Sequence, residues 1–378
     1  MMKTCALALV AGILLAWTVP SPTEAAALQA ASARDSKQFL TGKVVKLNDS
    51  ALPLEKRLNA ARDSFRASKQ GDLYFTGYIF PSRIKIHHHL HGQLGPYQVM
   101  AQDGRIRFHG QGQGTSESIE GDDQAGPVGF LLLNSLASPR TGILSARLID
   151  PEGSYEFKSI PLYWLGSLDA ETSVAFLDKE FESGGEELQK SLIFIISQHN
   201  SPRAFDFLKK TALASSLDLE VRKDAVFWAG NSRDPRSLSL LKEVLSGSRS
   251  EELKEHAVFA LTLTDRREAV EELIRIAKFD PDLEVRKKAV FWLGQKASKE
   301  SVGTLKEVVD KPDEDLEVKE SAVFAISQLP KDKAVPMLMA IARENKSPAV
   351  RKKAIFWLGQ TGDEQALKLF EEILLKKN

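Results

Sequence analysis

The chain has 378 residues, 43% of them hydrophobic, enough for two or three domains with buried cores and too apolar for a disordered protein. Lys plus Arg equals Asp plus Glu at 51 each, so no net field draws the protein to nucleic acid or an anionic membrane. The one cysteine, Cys5, lies in the first apolar run, and beyond that run there is no disulfide, no Cys-ligated metal and no thiol nucleophile.

That first run sets the expected destination. Lys3 gives a positive start, Cys5 to Trp17 is apolar, and Ala25-Ala26-Ala27 offers small residues for cleavage, the pattern of a secretory signal over residues 1–25. The run is shorter than the roughly 20 residues a spanning helix needs, and Pro20 and Pro22 break it. Export to a periplasmic or extracellular location, with no stable membrane insertion after cleavage, is the expectation.

Residues 26–70 read as a linker and a short helix. Leu28 to Ser50 is mixed in character and is expected to be a poorly ordered lead-in, after which Leu54, Leu58, Ala61 and Phe65 recur at helical spacing. From Leu73 the period becomes two. Tyr74–Phe80, Arg83–Leu90, Gln98–Met100, Arg105–His109, Val128–Leu132, Ile143–Leu148 and Tyr155–Trp164 read as strands, with Asp103-Gly104 and Asp150 to Gly153 as turns. Residues 71–166 therefore predict a compact antiparallel β module, a sandwich or small barrel.

Two stretches of this module carry candidate chemistry. In RIKIHHHLH, alternation places His87, His89 and His91 on one face, where imidazoles two residues apart offer a divalent metal two or three ligands. The competing reading is a polar strand face, since Arg83 and Lys85 disfavour a cation there. Gly110, Gly112 and Gly114 resemble a phosphate cradle, but no Lys follows and no helix opens, so a hairpin loop is expected. No Gly-x-Ser-x-Gly elbow exists.

Leu168 to Phe181 reads as a connecting helix, and from there to residue 378 the chain repeats itself. VRKKAVFWLGQ at Val285 to Gln295 returns as VRKKAIFWLGQ at Val350 to Gln360, and looser copies place starts at Leu188, Val221, Leu253, Val285, Val318 and Val350, spaced by 33, 32, 32, 33 and 32 residues. Such a period marks stacked helical hairpins, each too small to bury its apolar face alone. Asp280, Pro281 and Gly294 supply start and stop signals in the fourth copy, Ser347, Pro348 and Gly359 in the sixth. A second amphipathic segment follows each copy, as at Ser301–Val309 and Ala334–Ala342. Lys368, Glu371 and Glu372, turned away from Leu369, Phe370 and Ile373, are expected to give the last helix a polar, capping face.

The fifth position is Leu192, Ala225, Ala257, Ala289, Ala322 and Ala354, small as close helix packing requires. The eighth is Ile195, Trp228, Ala260, Trp292, Ala325 and Trp357, and the alternation predicts that a Trp in one repeat fills space an Ala leaves in the next. The pattern Val-Arg-x-x-Ala followed by Leu-Gly resembles the short HEAT-like repeats of the phycobilin-lyase type, and the FWLGQ and FAISQ variants resemble those of secreted bacterial HEAT-repeat proteins. The resemblance covers Leu188 to Asn378 and implies an all-α solenoid of six repeats over 167–378. It implies little about activity.

Two enzyme groups share that fold. The deoxyhypusine hydroxylase group holds iron through His-Glu pairs placed just before the small alanine, and the matching positions here are Lys190-Ser191, Lys223-Asp224, Glu255-His256, Lys287-Lys288, Glu320-Ser321 and Lys352-Lys353. Glu255-His256 alone has the right residue types, in reversed order. The bilin-lyase likeness implies a cytoplasmic chromophore partner, which an export signal opposes.

The seventh position is phenylalanine in every copy: Phe194, Phe227, Phe259, Phe291, Phe324 and Phe356. At about 100° per residue, Val285, Ala289, Trp292 and Leu293 share one side of the fourth copy, while Phe291 lies on the far side with Lys287 and Gln295. The rings either pack between hairpins as core or form an aromatic ladder on the concave surface, flanked by Lys223, Lys287 and Lys352 and by Gln198, Asn231, Gln295, Gln328 and Gln360. Acidic neighbours such as Asp280, Asp282 and Glu284 offset the VRKK runs, so a mixed-charge surface rather than a nucleic-acid site is expected. The function expected is a non-enzymatic exported scaffold, without cofactor, that binds another protein through the solenoid. The alternative is a metal-binding or enzymatic protein centred on the histidine strand, or a HEAT-like lyase or hydroxylase relative.

Overall fold

The structure, a computed structural model, describes residues 40–83, 98–102, 105–109, 126–137, 142–149, 151, 155–264 and 266–375. The histidine strand, the glycine-rich loop and the amino-terminal signal lie outside them. Two compact units divide between Phe207 and Leu208.

The first unit holds strands β1 (Leu40–Lys46), β2 (Leu73–Pro81), β3 (Gln98–Gln102), β4 (Arg105–His109), β5 (Pro127–Ser135), β6 (Ile143–Ile149) and β7 (Tyr155–Ser167). Five of them form one sheet in the order β1-β7-β2-β5-β6, and β3 pairs with β4 in a separate ribbon. The β-rich module is present, but its sheet is mixed rather than antiparallel. β5 runs antiparallel to β2 and β6, whereas β7 runs parallel to both β1 and β2. The last strand inserts between two earlier ones, an arrangement that alternation cannot reveal because it reports the faces of a strand and not its neighbours.

Over Leu40–Lys46, β1 overturns the expected poorly ordered lead-in, whose residues 28–39 lie outside the described ones. β1 is an edge strand, and the exposed Lys43 and Lys46 beside Val45 discourage further pairing. Gly42 has a φ of +86°, and a Cβ there would stand 2.5 Å from the Phe157 carbonyl oxygen, so the shift in register with β7 requires glycine.

Helices α1 (Leu54–Ser68), α2 (Ala170–Ser183) and α3 (Glu186–Ser197) complete this unit. α1 buries Leu54, Ala61 and Phe65; the Phe65 ring stacks on Tyr74 at 4.7 Å and meets the edge of Tyr163 at 6.4 Å. The opposite face of the sheet buries Leu131, Phe157, Leu162 and Trp164 together.

The chain then enters α4 (Pro202–Leu213), which crosses into the second unit, followed by α5 (Leu219–Asn231), α6 (Ser237–Gly247), α7 (Glu251–Leu263), α8 (Arg267–Phe279), α9 (Leu283–Lys296), α10 (Lys299–Asp310), α11 (Leu316–Ser327), α12 (Lys331–Glu344), α13 (Pro348–Gly359) and α14 (Glu364–Leu375). Each eleven-residue copy is the first helix of a hairpin. In the second unit α5, α7, α9, α11 and α13 pack side by side in order, each with its own second helix. This is a HEAT-like solenoid, as the repeat pattern predicts.

Its core follows the columns. Val221, Leu253, Val285, Val318 and Val350, with Ala225, Ala257, Ala289, Ala322 and Ala354, have no exposed surface. Each fully buried valine or leucine contributes about 1.5–3 kcal/mol. Ser347 caps α13 as expected, its hydroxyl accepting from the Val350 N–H. For α9 the cap is Asp282 rather than Asp280; Asp280 instead accepts from the Asp282 N–H, which shapes the turn before the helix.

The arginine of the VR pair fastens one hairpin to the next. Arg286 donates to the Asp280 carbonyl at 2.8 Å and to Glu314 at 3.1 Å and pairs with Asp315, both acids lying in the following loop. Arg351 likewise donates to the Asn345 carbonyl at 2.6 Å. In α14, Lys368, Glu371 and Glu372 are exposed and Leu369 is buried, as expected. The polar cap is incomplete, however, because Leu367 is 58% exposed.

Candidate functional site

The phenylalanine column is not core. Phe194, Phe227, Phe259, Phe291 and Phe324 are each half-buried, and Phe356 is 54% exposed. Within the second unit the rings touch in series. Phe227 stacks on Phe259 at 6.0 Å, Phe259 meets Trp292 at 4.8 Å, Trp292 meets Phe291 at 5.0 Å, Phe291 stacks on Phe324 at 6.3 Å, Phe324 meets Trp357 at 5.0 Å, and Trp357 meets Phe356 at 5.0 Å. Each such contact contributes about 0.5–1.5 kcal/mol beyond its buried area.

The tryptophans therefore belong to this ladder and not to the core beside Val285 and Ala289. Trp292 and Trp357 lie half-buried over the phenylalanine of the preceding repeat. The close approach to the following repeat is made elsewhere, by the glycine two residues on. A Cβ on Gly230 would stand 2.8 Å from the Cβ of Ala260, and one on Gly294 would stand 2.8 Å from that of Ala325. The volume match is thus glycine against alanine, with tryptophan over phenylalanine.

The alternate copies carry a hydroxyl at the glycine position. Ser197, Thr262 and Ser327 donate to the carbonyls of Phe194, Phe259 and Phe324 at 2.6, 2.6 and 2.7 Å, tying off the end of each helix beside its ladder ring. The Ser/Gly alternation is visible in the sequence and marks the two-repeat unit as plainly as Trp/Ala does.

Around the rings the polar residues separate into two kinds. Gln295, Gln328, Gln360 and Asn231 are exposed, whereas Gln198 is buried and hydrogen-bonds Ser197 at 2.7 Å. Lys223 pairs with Glu220 at 2.8 Å and Glu252 of the next repeat at 3.5 Å; Lys287 pairs with Glu284 at 2.7 Å and Glu317 of the next at 3.0 Å. These glutamates raise the pKa of both lysines. The lysines set the register between repeats and are not presented as bare cations. Lys352, with alanine at the corresponding Ala349, is exposed.

The His-Glu iron arrangement finds no fit at the matching position. Glu255 is committed to Lys288 at 2.7 Å, and His256, half-buried against Phe259, has its pKa lowered first by burial and then by Lys223. Among the described residues no three His, Cys, Asp or Glu side chains are grouped to hold a metal, and no helix is long and apolar enough to cross a membrane. His87, His89 and His91 lie outside the described residues.

One Ser-His pair escapes sequence reasoning because its members are 26 residues apart. Tyr78, Ser173 and His199 are fully buried in the first unit, with Tyr78 Oη 2.9 Å from Ser173 Oγ and Ser173 Oγ 2.7 Å from His199 Nε2. His199 Nδ1 lies 2.9 Å from the Ile195 carbonyl, which only accepts; Nδ1 therefore carries the proton, Ser173 donates to Nε2, and Tyr78 donates to Ser173. Burial lowers the imidazole pKa to about 3 and raises that of the phenol. With no solvent access and the ring stacked on Phe80 at 3.7 Å, the relay is a buried fastener between β2, α2 and the end of α3.

Comparison with known proteins bears on the fold. No curated protein matches the sequence. Among solved structures, the chain is similar to human deoxyhypusine hydroxylase in complex with glycerol, at 18% identity over 54% of this chain and 90% of that one, with a TM-score of 0.30. It is similar to the complex of CpcE and CpcF of phycocyanin lyase from Nostoc sp. PCC7120 at 22% identity over 47% and 73%, TM-score 0.32. AlkD2 from Streptococcus mutans is similar at 18% identity over 51% and 99%, TM-score 0.35. The family of HEAT repeats matches residues 241–322 and 312–378, so the ladder from Phe259 to Phe356 is carried on HEAT repeats.

Proposed function

We propose that the protein is an exported scaffold that binds another protein along the aromatic ladder of its first helices. The observation that carries this reading is the half-buried state of the phenylalanine column. Five rings hold fixed positions through contact with their neighbours yet keep surface for a partner, and exposed Gln295, Gln328 and Gln360 stand beside them. Aromatic anchors with adaptable polar neighbours are the residues that dominate protein interfaces, and rings already locked in place lose little entropy on binding.

The test is quantitative affinity capture with the full chain and with a Gln295→Arg, Gln328→Arg, Gln360→Arg variant, whose changes fall on exposed positions. A protein retained by the parent and lost with the variant supports the reading. Identical captured sets refute it. Export is part of the same proposal, and amino-terminal sequencing of the chain from its native host should find cleavage near residue 25; an intact Met1 in the cytoplasm would contradict it.

A further inference from the structure

The stack contains two kinds of first helix, and their contacts define a socket. Trp-type helices, α5 and α9, present a lysine at the third position, a phenylalanine at the seventh and a glycine at the tenth to the next repeat. Each is answered by a helix of the other type. Lys223 and Lys287 find Glu252 and Glu317, Phe227 and Phe291 find the rings of Phe259 and Phe324, and Gly230 and Gly294 admit Ala260 and Ala325. The answering helices, α7 and α11, carry glutamate before the first position, phenylalanine at the seventh and alanine at the eighth.

α13 is Trp-type, and among the described residues its answering side is open. Lys352 is exposed, Phe356 is 54% exposed, and a Cβ on Gly359 would meet nothing within 4 Å, against 2.8 Å at Gly230 and Gly294. Among the described residues Arg351 donates to the Asn345 and Lys346 carbonyls of the preceding turn, as Arg222 donates back to the Ala212 carbonyl, while Arg286 also reaches forward to Glu314 and Asp315. A cation, a ring and a glycine cleft thus recur in the same register as in two occupied sockets.

We infer that the open flank of α13 docks a helix with the chemistry of α7 and α11: an acid directly ahead of the buried leucine or valine that opens the copy, and a Phe-Ala pair two turns on. The interior sockets fix this choice by continuity, and exposed Lys352 fixes it by charge. A second copy of the chain has no such helix to give, because α7 lies between α5 and α9 and α11 lies between α9 and α13. The inference concerns the flank of the last first helix and holds whether or not the ladder's outer surface binds a partner.

The test uses a helix-stapled, fluorescein-labelled peptide of sequence LEVKESAVFAISQ, that of Leu316 to Gln328, titrated with the full-length protein and read by anisotropy. Saturable binding is expected, weakened about tenfold or more by Gly359→Leu, which fills the cleft at a position with no neighbour to disturb. Lys352→Glu should weaken it about two- to fivefold, the scale of an exposed ion pair, and a peptide bearing Glu317→Lys should restore it. A peptide bearing Ala325→Trp should not bind. Absence of saturable binding, binding indifferent to Gly359→Leu, or equal binding of the Trp peptide would overturn the inference. Self-association of the protein that Gly359→Leu abolishes would overturn it too, by placing a second copy in the socket.

Discussion

Gly294→Ala adds one methyl group where α9 meets α11. Its Cβ would lie 2.8 Å from the Ala325 Cβ, 3.0 Å from the Ala325 carbonyl oxygen and 3.1 Å from its Cα. Carbon atoms are comfortable at about 3.5–4.0 Å, so the two helices must part by most of an ångström or Ala325 must shift. Overpacking of this kind costs about 1–3 kcal/mol, against which alanine returns up to about 1 kcal/mol of helix propensity over glycine. The same change at Gly359 meets no atom within 4 Å and keeps the propensity gain alone. Gly294→Ala should therefore lie about 1–3 kcal/mol below Gly359→Ala in stability. Urea titrations followed by tryptophan fluorescence measure it, since Trp292 and Trp357 report on these two repeats. Equal midpoints for the two variants would refute the claim that glycine–alanine contact, and not bulk, spaces the hairpins. Adding Ala325→Gly to Gly294→Ala should recover part of the loss.

Further outcomes follow from other contacts. His199 has a folded pKa of about 3 against an ordinary value of 6.5, so between those values the unfolded chain binds the extra proton and stability falls as pH falls, by about 1.4 kcal/mol per unit. His199→Phe should flatten that slope between pH 6 and pH 4 in denaturation series, and an unchanged slope would contradict the buried neutral tautomer. Arg286→Met strips Glu314, which is 2% exposed at its side chain, of one of its two cations and should cost about 2–4 kcal/mol, whereas the same change at Arg266, an exposed residue just before α8, should cost little. Leu293→Ala, in the buried column, should cost about 2–5 kcal/mol, but Phe291→Ala about half as much, because its ring already meets solvent; equal losses would return the ladder to the core.

The carboxy-terminal half was legible in the sequence because each repeat writes the same instructions again. A column of Val285-like and Ala289-like residues states which side is buried, and six copies leave no doubt about the hairpin. Periodicity could not decide the side of Trp292, since a bulky ring reads as core wherever it falls, and it missed that Gly294 and Ser327 occupy equivalent positions with opposite tasks. In the amino-terminal half, the described strands between Tyr74 and Trp164 were readable by alternation, but the parallel insertion of β7 depends on contacts far apart in the chain. β1 was invisible because an edge strand with two lysines and a glycine has little apolar pattern to show. The Tyr78, Ser173, His199 relay joins three separate segments and leaves no local trace.

The proposal that the ladder is a binding face is tested most directly by photo-crosslinking in the native host, with p-benzoylphenylalanine placed at Gln295, Gln328 or Gln360 beside the rings, and at Lys299 or Lys333 on second helices, all exposed positions. The account predicts one common protein adduct from the three ladder positions and none from the two outer ones. Adducts of the same protein from the second helices, or none from the ladder, would contradict it.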